Sequence, residues 1–348
     1  MAHLWLRAEQ RPFETRTGLT PAGAADLIAA GLHVTVEASD TRVFPAQAYA
    51  DAGCVMAPAH SWPDAPRDTI ILGLKELPDD GTPLPHRHIM FGHAYKGQSG
   101  AAPLLSRFRA GGGALYDLEY LVDDDARRVA AFGYWAGYAG AAVSLRCWLA
   151  QQDGGLAGPV GAYSDVDTLR SELSLALGRA RPSVLIIGAL GRVGTGATDF
   201  CASLGLPATL WDQAETADGG PFPAILDHDI FLNCILAQAG VPVFVPRSAL
   251  TAPRRLSVIG DIACDPTSDF NPVPVYDSVT DWSAPALRVA TDPVLDVMAI
   301  DNLPSMLPRE SSEDFARQLL PHLHRLAALD SGVWGRARAE FDRHIATP

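Results

Sequence analysis

The stretch Ser183–Gly196, SVLIIGALGRVGTG, governs the reading of the whole chain. Val184–Ile187 is an unbroken apolar run rich in branched side chains, the pattern of a strand buried on both faces of a parallel sheet. The run breaks into Gly188, Gly191 and Gly194, and Ala197–Leu204 then reads as a helix with small residues toward the sheet. Strand, glycine turn and helix form a phosphate-binding unit. Glycine lets the backbone turn sharply and lets a pyrophosphate approach, while the helix N-terminus offers free N–H groups and a positive dipole end. The spacing is G-x-x-G-x-x-G rather than the commoner G-x-G-x-x-G, so its weight comes from context. Ala208–Trp211 supplies a second apolar strand, and it ends in Asp212, 24 residues after Gly188. A carboxylate there binds the adenine-ribose hydroxyls and repels a 2′-phosphate, which points to NAD rather than NADP.

The 348 residues suffice for two domains at about 150 residues each. With 48% hydrophobic and 19% charged residues, the chain has a sizeable core and no disordered character. A net charge of −13 without any basic run argues against a nucleic-acid surface. The five cysteines (Cys54, Cys147, Cys201, Cys234 and Cys264) are scattered, odd in number and free of C-x-x-C spacing, so they read as reduced thiols of a cytoplasmic protein. MAHLWLRAE lacks the basic and apolar segments of a secretory signal, and no apolar run is long enough to span a membrane.

Outward from the glycine turn, the N-terminal part repeats strand–helix units without a glycine fingerprint. His3–Arg7, Leu32–Val36, Thr69–Leu74, Ile89–Phe91 and Ala114–Tyr116 read as strands. Between them lie helices over Pro21–Ala30, with Thr20 as N-cap and Gly31 as stop, and over Ala101–Ala110. Phe132–Gln151 is a long helix rich in Ala and Gly, which predicts close packing against other backbone, and Asp165–Ala180 is a second helix. After the nucleotide unit, Ile230–Asn233, Val243–Val245, Leu256–Gly260 and Val297–Ile300 continue a sheet, and Ser311–Ala327 and Val333–Ile345 close the chain as helices. The fold class is α/β, two Rossmann-like domains with parallel sheets and an interdomain cleft. Residues 1–130 plus 308–348 form a substrate or catalytic domain, and residues 131–307 form the NAD-binding domain.

Ligands of such sheets gather at the carboxyl ends of strands, where Lys75, Glu76, His93 and Glu119 fall. Lys75 and His93 are the acid–base candidates, with Glu76 and Glu119 placed to hold the lysine charged or share its proton. Each has an ordinary alternative, a surface lysine after a strand and a satisfied core histidine, and the residues alone do not choose. Arg16 and Arg128 offer bidentate forks for substrate carboxylates, although a lone arginine more often makes a surface salt bridge. His86, His88 and His93 form H-x-H-x-x-x-x-H, but no further cluster completes a zinc site, so no metal is expected.

The chain resembles the NAD-dependent, lysine-forming saccharopine dehydrogenases, relatives of alanine dehydrogenase, over nearly its whole length. The resemblance is carried by LRAE (Leu6–Glu9), Ser61-Trp62 with Ala65–Asp68, GLKE (Gly73–Glu76), FGHAYKGQ (Phe91–Gln98), LYDLE (Leu115–Glu119) and RRVAAFG (Arg127–Gly133). It continues in VLIIGALGR (Val184–Arg192), WDQAET (Trp211–Thr216), GGPF (Gly219–Phe222), IDNLPSMLPRE (Ile300–Glu310) and FDRH (Phe341–His344). It implies NAD-dependent oxidation of saccharopine to lysine and 2-oxoglutarate, with these small molecules as the partners. It further implies that Lys75 takes the secondary-amine proton and His93 serves the hydrolytic steps, with Glu76 and Glu119 tuning Lys75. Arg16, Gln98, Arg128 and Phe132 would hold the substrate, and Ala263, Cys264 and Asp265 would face it near the nicotinamide. Gly191, Arg192, Asp212, Thr216, Arg127, Ile262 and Ile300–Leu303, which includes Asp301 and Asn302, would line the cofactor. The chain departs from the pattern at Val193, where fungal members carry cysteine, at Leu236, where an aromatic is usual, at Asn302, which replaces histidine, and in the loop Asp261–Pro266. Two other readings are a related opine or amino-acid dehydrogenase of the alanine dehydrogenase kind, and a catalytically silent NAD-binding sensor.

Overall fold

Short apolar runs, each bounded by glycine, proline or charge, give two six-stranded sheets. The computed structural model describes residues 2–346 apart from Pro12, Ser99 and Ala237. The chain divides into two units, Met1–Ala131 with Pro308–Pro348, and Phe132–Leu307.

The first unit is built on β1 (His3–Leu6), β2 (His33–Glu37), β3 (Val55–Ala57), β4 (Ile70–Leu72), β5 (Arg87–Met90) and β6 (Ala114–Asp117). Their order is β3-β2-β1-β4-β5-β6 and every pair is parallel. The order reverses between β1 and β4, so the crevice outside their carboxyl ends is the expected ligand position of such a sheet. The helix Pro21–Ala29 starts as its sequence predicts, with Thr20 Oγ1 accepting from the Gly23 N–H at 3.1 Å and Pro21 in the first turn. The helices Pro308–Leu323 and Gly332–Ile345 return to this unit. Buried Trp334 meets Tyr116 edge-on at 5.9 Å, and Phe341 meets Phe108 at 5.5 Å. The helix Ala46–Asp51 and β3 escape the periodicity argument because each is too short to show a repeat.

The second unit holds β7 (Val184–Ile187), β8 (Ala208–Trp211), β9 (Ile230–Asn233), β10 (Val258–Asp261), β11 (Leu287–Thr291) and β12 (Val294–Met298), in the order β11-β12-β10-β9-β7-β8. Its two faces carry separate apolar layers, one around Leu145, Ile186 and Phe200, the other around Leu185, Phe231 and Val297. The order reverses at β7 and β9, which places the glycine turn after β7 at the switch point.

Three expectations for this unit are corrected. The sheet is not wholly parallel, since β11 pairs antiparallel to β12 at one edge. Val243–Val245 is not a strand. Pro242 and Pro246 flank it without donors, and the N–H groups of Phe244 and Val245 both turn to the Pro272 carbonyl, at 2.8 and 3.2 Å. The helix after the glycine turn spans Arg192–Ser203 and so starts five residues before Ala197. The glycines of its first turns, unfavourable for a free helix, are held by packing against the helix Gly133–Gln152. There the main chains meet: a Cβ on Gly137 would lie 1.8 Å from the Val193 carbonyl oxygen, and one on Gly196 would lie 1.9 Å from that of Tyr134. Among the described residues no helix is long and apolar enough to cross a membrane.

Candidate active site

In the first unit the site residues converge at the carboxyl ends of the inner strands. Gly73–Glu76 leaves β4 and Phe91–His93 leaves β5, and these strands are hydrogen-bonded neighbours. Lys75 is partly buried and its charge acts on both Glu76 and His93. His93 sits in the left-handed region at φ 48°, with its ring stacked on Phe91 at 6.3 Å. A non-glycine residue held there is a local strain of the kind that clusters at working sites. Desolvation holds the His93 imidazole below its ordinary range; Glu119 and Glu76 oppose that shift, and Lys75 and Arg11 reinforce it. The ring is therefore neutral near pH 7, able to accept a proton at one nitrogen and donate at the other.

The carboxylates are distributed differently from the sequence expectation. Glu119 Oε1 accepts from Lys96 Nζ and from Arg128 Nη2, each at 2.7 Å. Burial pushes the Glu119 carboxyl upward, but Lys96 and Arg128 outweigh it and hold the group below its usual range. Glu76 is likewise held low, with Arg11 outweighing desolvation, and its ion pair is with Arg11. Arg16 is buried, and Glu14 takes its Nε at 2.8 Å and its Nη2 at 2.6 Å, so the expected surface alternative gives way to a buried ion pair. Gln98 accepts the Lys96 N–H at 2.8 Å. Arg127 is exposed on the turn beside Asp123 and belongs to the first unit. The sequence gives no sign of Lys96 and Arg11 as partners, although Lys96 lies inside the FGHAYKGQ stretch, because one-dimensional spacing reports no ion pair between distant segments; Glu14, two residues before Arg16, is local, and only its burial marks the pair as a core one.

His86 and His88 belong to the core. His88 is fully buried between Trp62, at 5.1 Å, and Phe108, at 5.5 Å. His86 meets the Ala65 carbonyl at 2.9 Å. Among the described residues no group of three or more His, Cys, Asp or Glu side chains is gathered to hold a metal ion.

In the second unit the glycine turn has the form a dinucleotide needs. Gly188 lies at φ 87°, Gly191 caps the helix Arg192–Ser203, and a Cβ on Gly194 would fall 2.1 Å from the Gly188 carbonyl oxygen. Only glycine lets turn and helix close on each other here, and the helix N-terminus faces the turn. Asp212 ends β8 and spans two elements: its Oδ2 accepts the Leu190 N–H at 3.0 Å and its Oδ1 the Gln213 N–H at 2.9 Å. Glu215 answers by accepting the Asp212 N–H at 2.7 Å, and Thr216 donates to the Asp212 carbonyl at 3.0 Å. These residues fit the pyrophosphate and adenine ribose of NAD.

Ile262 follows β10 and hydrogen-bonds the Asn233 carbonyl at 3.1 Å, at the carboxyl ends of the strands. Ala263, Cys264 and Asp265 continue that loop, and burial pushes the Cys264 thiol up to about 12, which keeps it protonated. Ile300 and Leu303 are core side chains around partly exposed Asn302 and exposed Asp301, and Phe132 precedes the helix Gly133–Gln152.

Residues 5–139 match the family model of the alanine dehydrogenase/PNT N-terminal domain. The chain is similar to a saccharopine dehydrogenase (NAD(+), L-lysine-forming) of Yarrowia lipolytica, 47% identical over 98% of this chain and 97% of that one. It is also similar to the enzyme of the same name from Schizosaccharomyces pombe, 44% identical over 99% of this chain and 98% of that one. Among solved structures, an L-alanine dehydrogenase shares the fold with a TM-score of 0.66 at 19% identity, covering 97% of this chain and 94% of the other. A transhydrogenase from Sinorhizobium meliloti gives 0.58 at 17% identity, covering 94% and 95%.

Proposed function

We infer the reaction from kinship: the chain belongs to the NAD-dependent, L-lysine-forming saccharopine dehydrogenases. Saccharopine, NAD and water give lysine, 2-oxoglutarate and NADH, and the reaction runs in both directions. When bound, NAD would supply the hydride acceptor for the glutamate-side carbon. Gly188, Gly191, Arg192 and Gly194 would hold its pyrophosphate, Asp212 and Thr216 its ribose, and Ile262 and Ile300–Leu303 would line it in the second unit, while the family resemblance adds Arg127 to the cofactor residues.

The rest is proton work for the first unit. Loss of hydride from a carbon bearing a secondary amine requires that the amine first be neutral, and Lys75 takes that proton. The resulting imine adds water, and the carbinolamine collapses to release the lysine amine. Each of those steps moves a proton on or off oxygen or nitrogen, and His93, with its imidazole held neutral, carries them. The family resemblance assigns the substrate carboxylates and chain to Arg16, Gln98 and Arg128 of the first unit, and adds Phe132 and Ala263–Asp265 of the second as substrate residues. The observation that carries this reading is the emergence of Lys75 and His93 from adjacent parallel strands beside the switch point, within each other's field. The acidic surface and the five unpaired thiols favour small-molecule partners and a cytoplasmic setting over nucleic acid.

NADH oxidation tests it. Lysine plus 2-oxoglutarate supports turnover, and pyruvate plus ammonia does not; faster turnover with the second pair overturns the assignment. Lys75→Met and His93→Gln each lower kcat by about 10²–10⁴ while NADH affinity stays near wild type. A Lys75→Met enzyme with native kcat and pH profile would make the lysine a bystander.

A further inference from the structure

We propose that Glu9 and Asp117 are the positioning residues of the proton-transfer pair, each clamping the main chain that carries one member. The geometry is symmetrical across the sheet. Lys75 and His93 leave the inner strands β4 and β5, while Glu9 follows β1 and Asp117 ends β6, the strands flanking those two. Each carboxylate therefore reaches sideways from a flanking strand onto the chain leaving its neighbour.

Glu9 accepts two consecutive N–H groups, Leu74 at Oε1 (2.7 Å) and Lys75 at Oε2 (3.0 Å). Its side chain is 8% exposed, and Arg7, fully buried, pairs with it at 3.3 Å. Arg7 also donates through Nη2 to the Lys75 carbonyl, so the Lys75 peptide is held at both its donor and its acceptor. Gly73 makes room for this: a Cβ there would lie 2.3 Å from Arg7 Nε.

Asp117 is completely buried and accepts the Gly92 N–H at Oδ2 (3.1 Å) and the Glu119 N–H at Oδ1 (2.9 Å). One carboxylate thus fixes both the peptide that leads into the strained His93 and the residue whose charge acts on His93. Burying a carboxylate is costly unless hydrogen bonds repay it, and apolar residues would fill the same space without that cost. A fold needing only a packed sheet edge has no use for either acid; a site needing two side chains held to a fraction of an ångström does.

The proposal rests on the roles given above to Lys75 and His93, and the test separates the two. Glu9→Gln and Asp117→Asn keep shape but turn an amide NH2 toward a backbone N–H, so each loses one clamp bond. Each lowers kcat by about 10- to 100-fold with KM for lysine and 2-oxoglutarate and affinity for NADH within about twofold, since small misplacements act on rate rather than binding. Glu9→Gln is silent in a Lys75→Met background, and Asp117→Asn is silent in a His93→Gln background, because each acts through its partner. Additive losses in those pairs, or native kcat in the single variants, overturn the proposal.

Hydrogen exchange reads the clamps without any turnover. Protection falls at Leu74 and Lys75 in Glu9→Gln, and at Gly92 and Glu119 in Asp117→Asn; unchanged protection overturns the proposal. Absence of wild-type turnover on lysine plus 2-oxoglutarate with these exchange changes present defeats the assigned reaction and leaves the clamps standing. Where an amide variant fails to fold, Glu9→Asp and Asp117→Glu keep the charge, displace the oxygens by one methylene and carry the same comparisons.

Discussion

Gly137→Ala adds one methyl group at the tightest point of the second unit. The new Cβ would stand 1.8 Å from the Val193 carbonyl oxygen and 2.7 Å from the carbonyl carbon. That falls about 1.6 Å short of ordinary contact (3.4 Å against 1.8 Å), and both sides are main chain, so no rotamer change relieves it. The helices Gly133–Gln152 and Arg192–Ser203 must separate or slide, and the second of them carries the pyrophosphate turn at its N-terminus. Overpacking a core costs about 1–3 kcal/mol where side chains can yield, so about 3 kcal/mol is the expected loss here. For a domain of this size that lowers the melting temperature by roughly 6–12 °C. The displaced helix end weakens NADH binding by at least about tenfold, because backbone N–H groups recognise an anion only at hydrogen-bond distance. Thermal melts and a fluorescence titration with NADH read both effects. Gly161→Ala, which adds its methyl to open space on the same unit, is the control and shifts neither quantity. A Gly137→Ala protein that melts within about 2 °C of wild type and binds NADH normally would refute the close-packing argument.

NAD is preferred to NADP by at least about tenfold in kcat/KM, since a carboxylate and a phosphate about 4 Å apart repel by roughly 1–4 kcal/mol between bulk-water and near-surface screening. Asp212→Ala narrows the gap and also frees the Leu190 and Gln213 N–H groups it accepts from; equal kcat/KM in the wild type contradicts the assignment. Arg16→Ala raises KM for 2-oxoglutarate or lysine, leaves NADH affinity unchanged, and costs about 3–5 kcal/mol of stability, because Glu14 then sits buried without its ion-pair partner. Urea melts and a NADH titration separate these effects, and an equal loss of NADH affinity would remove Arg16 from the substrate side. His88 is held neutral by burial, well below its ordinary range, so folding loses stability as pH falls below about 6.5, where the unfolded chain takes up a proton that the folded state refuses. His88→Phe keeps an aromatic ring between Trp62 and Phe108 and shows a smaller acid loss in urea midpoints than the wild type, and an unchanged loss rejects the account.

The sequence by itself marked the glycine turn of the nucleotide half and the strands on either side of it. A strand buried on both faces, a glycine turn, a helix start and an acid at the end of the next strand are local features, each written within a few residues, and β7, Gly188–Gly194, β8 and Asp212 stand where that pattern puts them. The Ala and Gly of Gly133–Gln152 likewise announced close packing against other backbone, while only the tertiary structure names the helix Arg192–Ser203 as the partner. Local pattern failed where a neighbour decides the outcome. Val243–Val245 has the composition of a strand, yet its flanking prolines and the Pro272 carbonyl keep it out of the ladder. β11 is an edge strand whose partner, β12, gives it its conformation.

The proposed catalytic corner lies between these extremes. Strand ends marked Lys75 and His93, but which charges surround them is a property of three dimensions. Glu119 is shared by Lys96 and Arg128, 23 and 9 residues away, and Glu76 pairs with Arg11, 65 residues distant. Glu9 lies 66 residues before Lys75, and Asp117 lies 25 residues after Gly92. A hydrogen bond acts over about 3 Å whatever the separation along the chain, so only the parallel sheet, by bringing β1 beside β4 and β6 beside β5, turns those distant residues into one site.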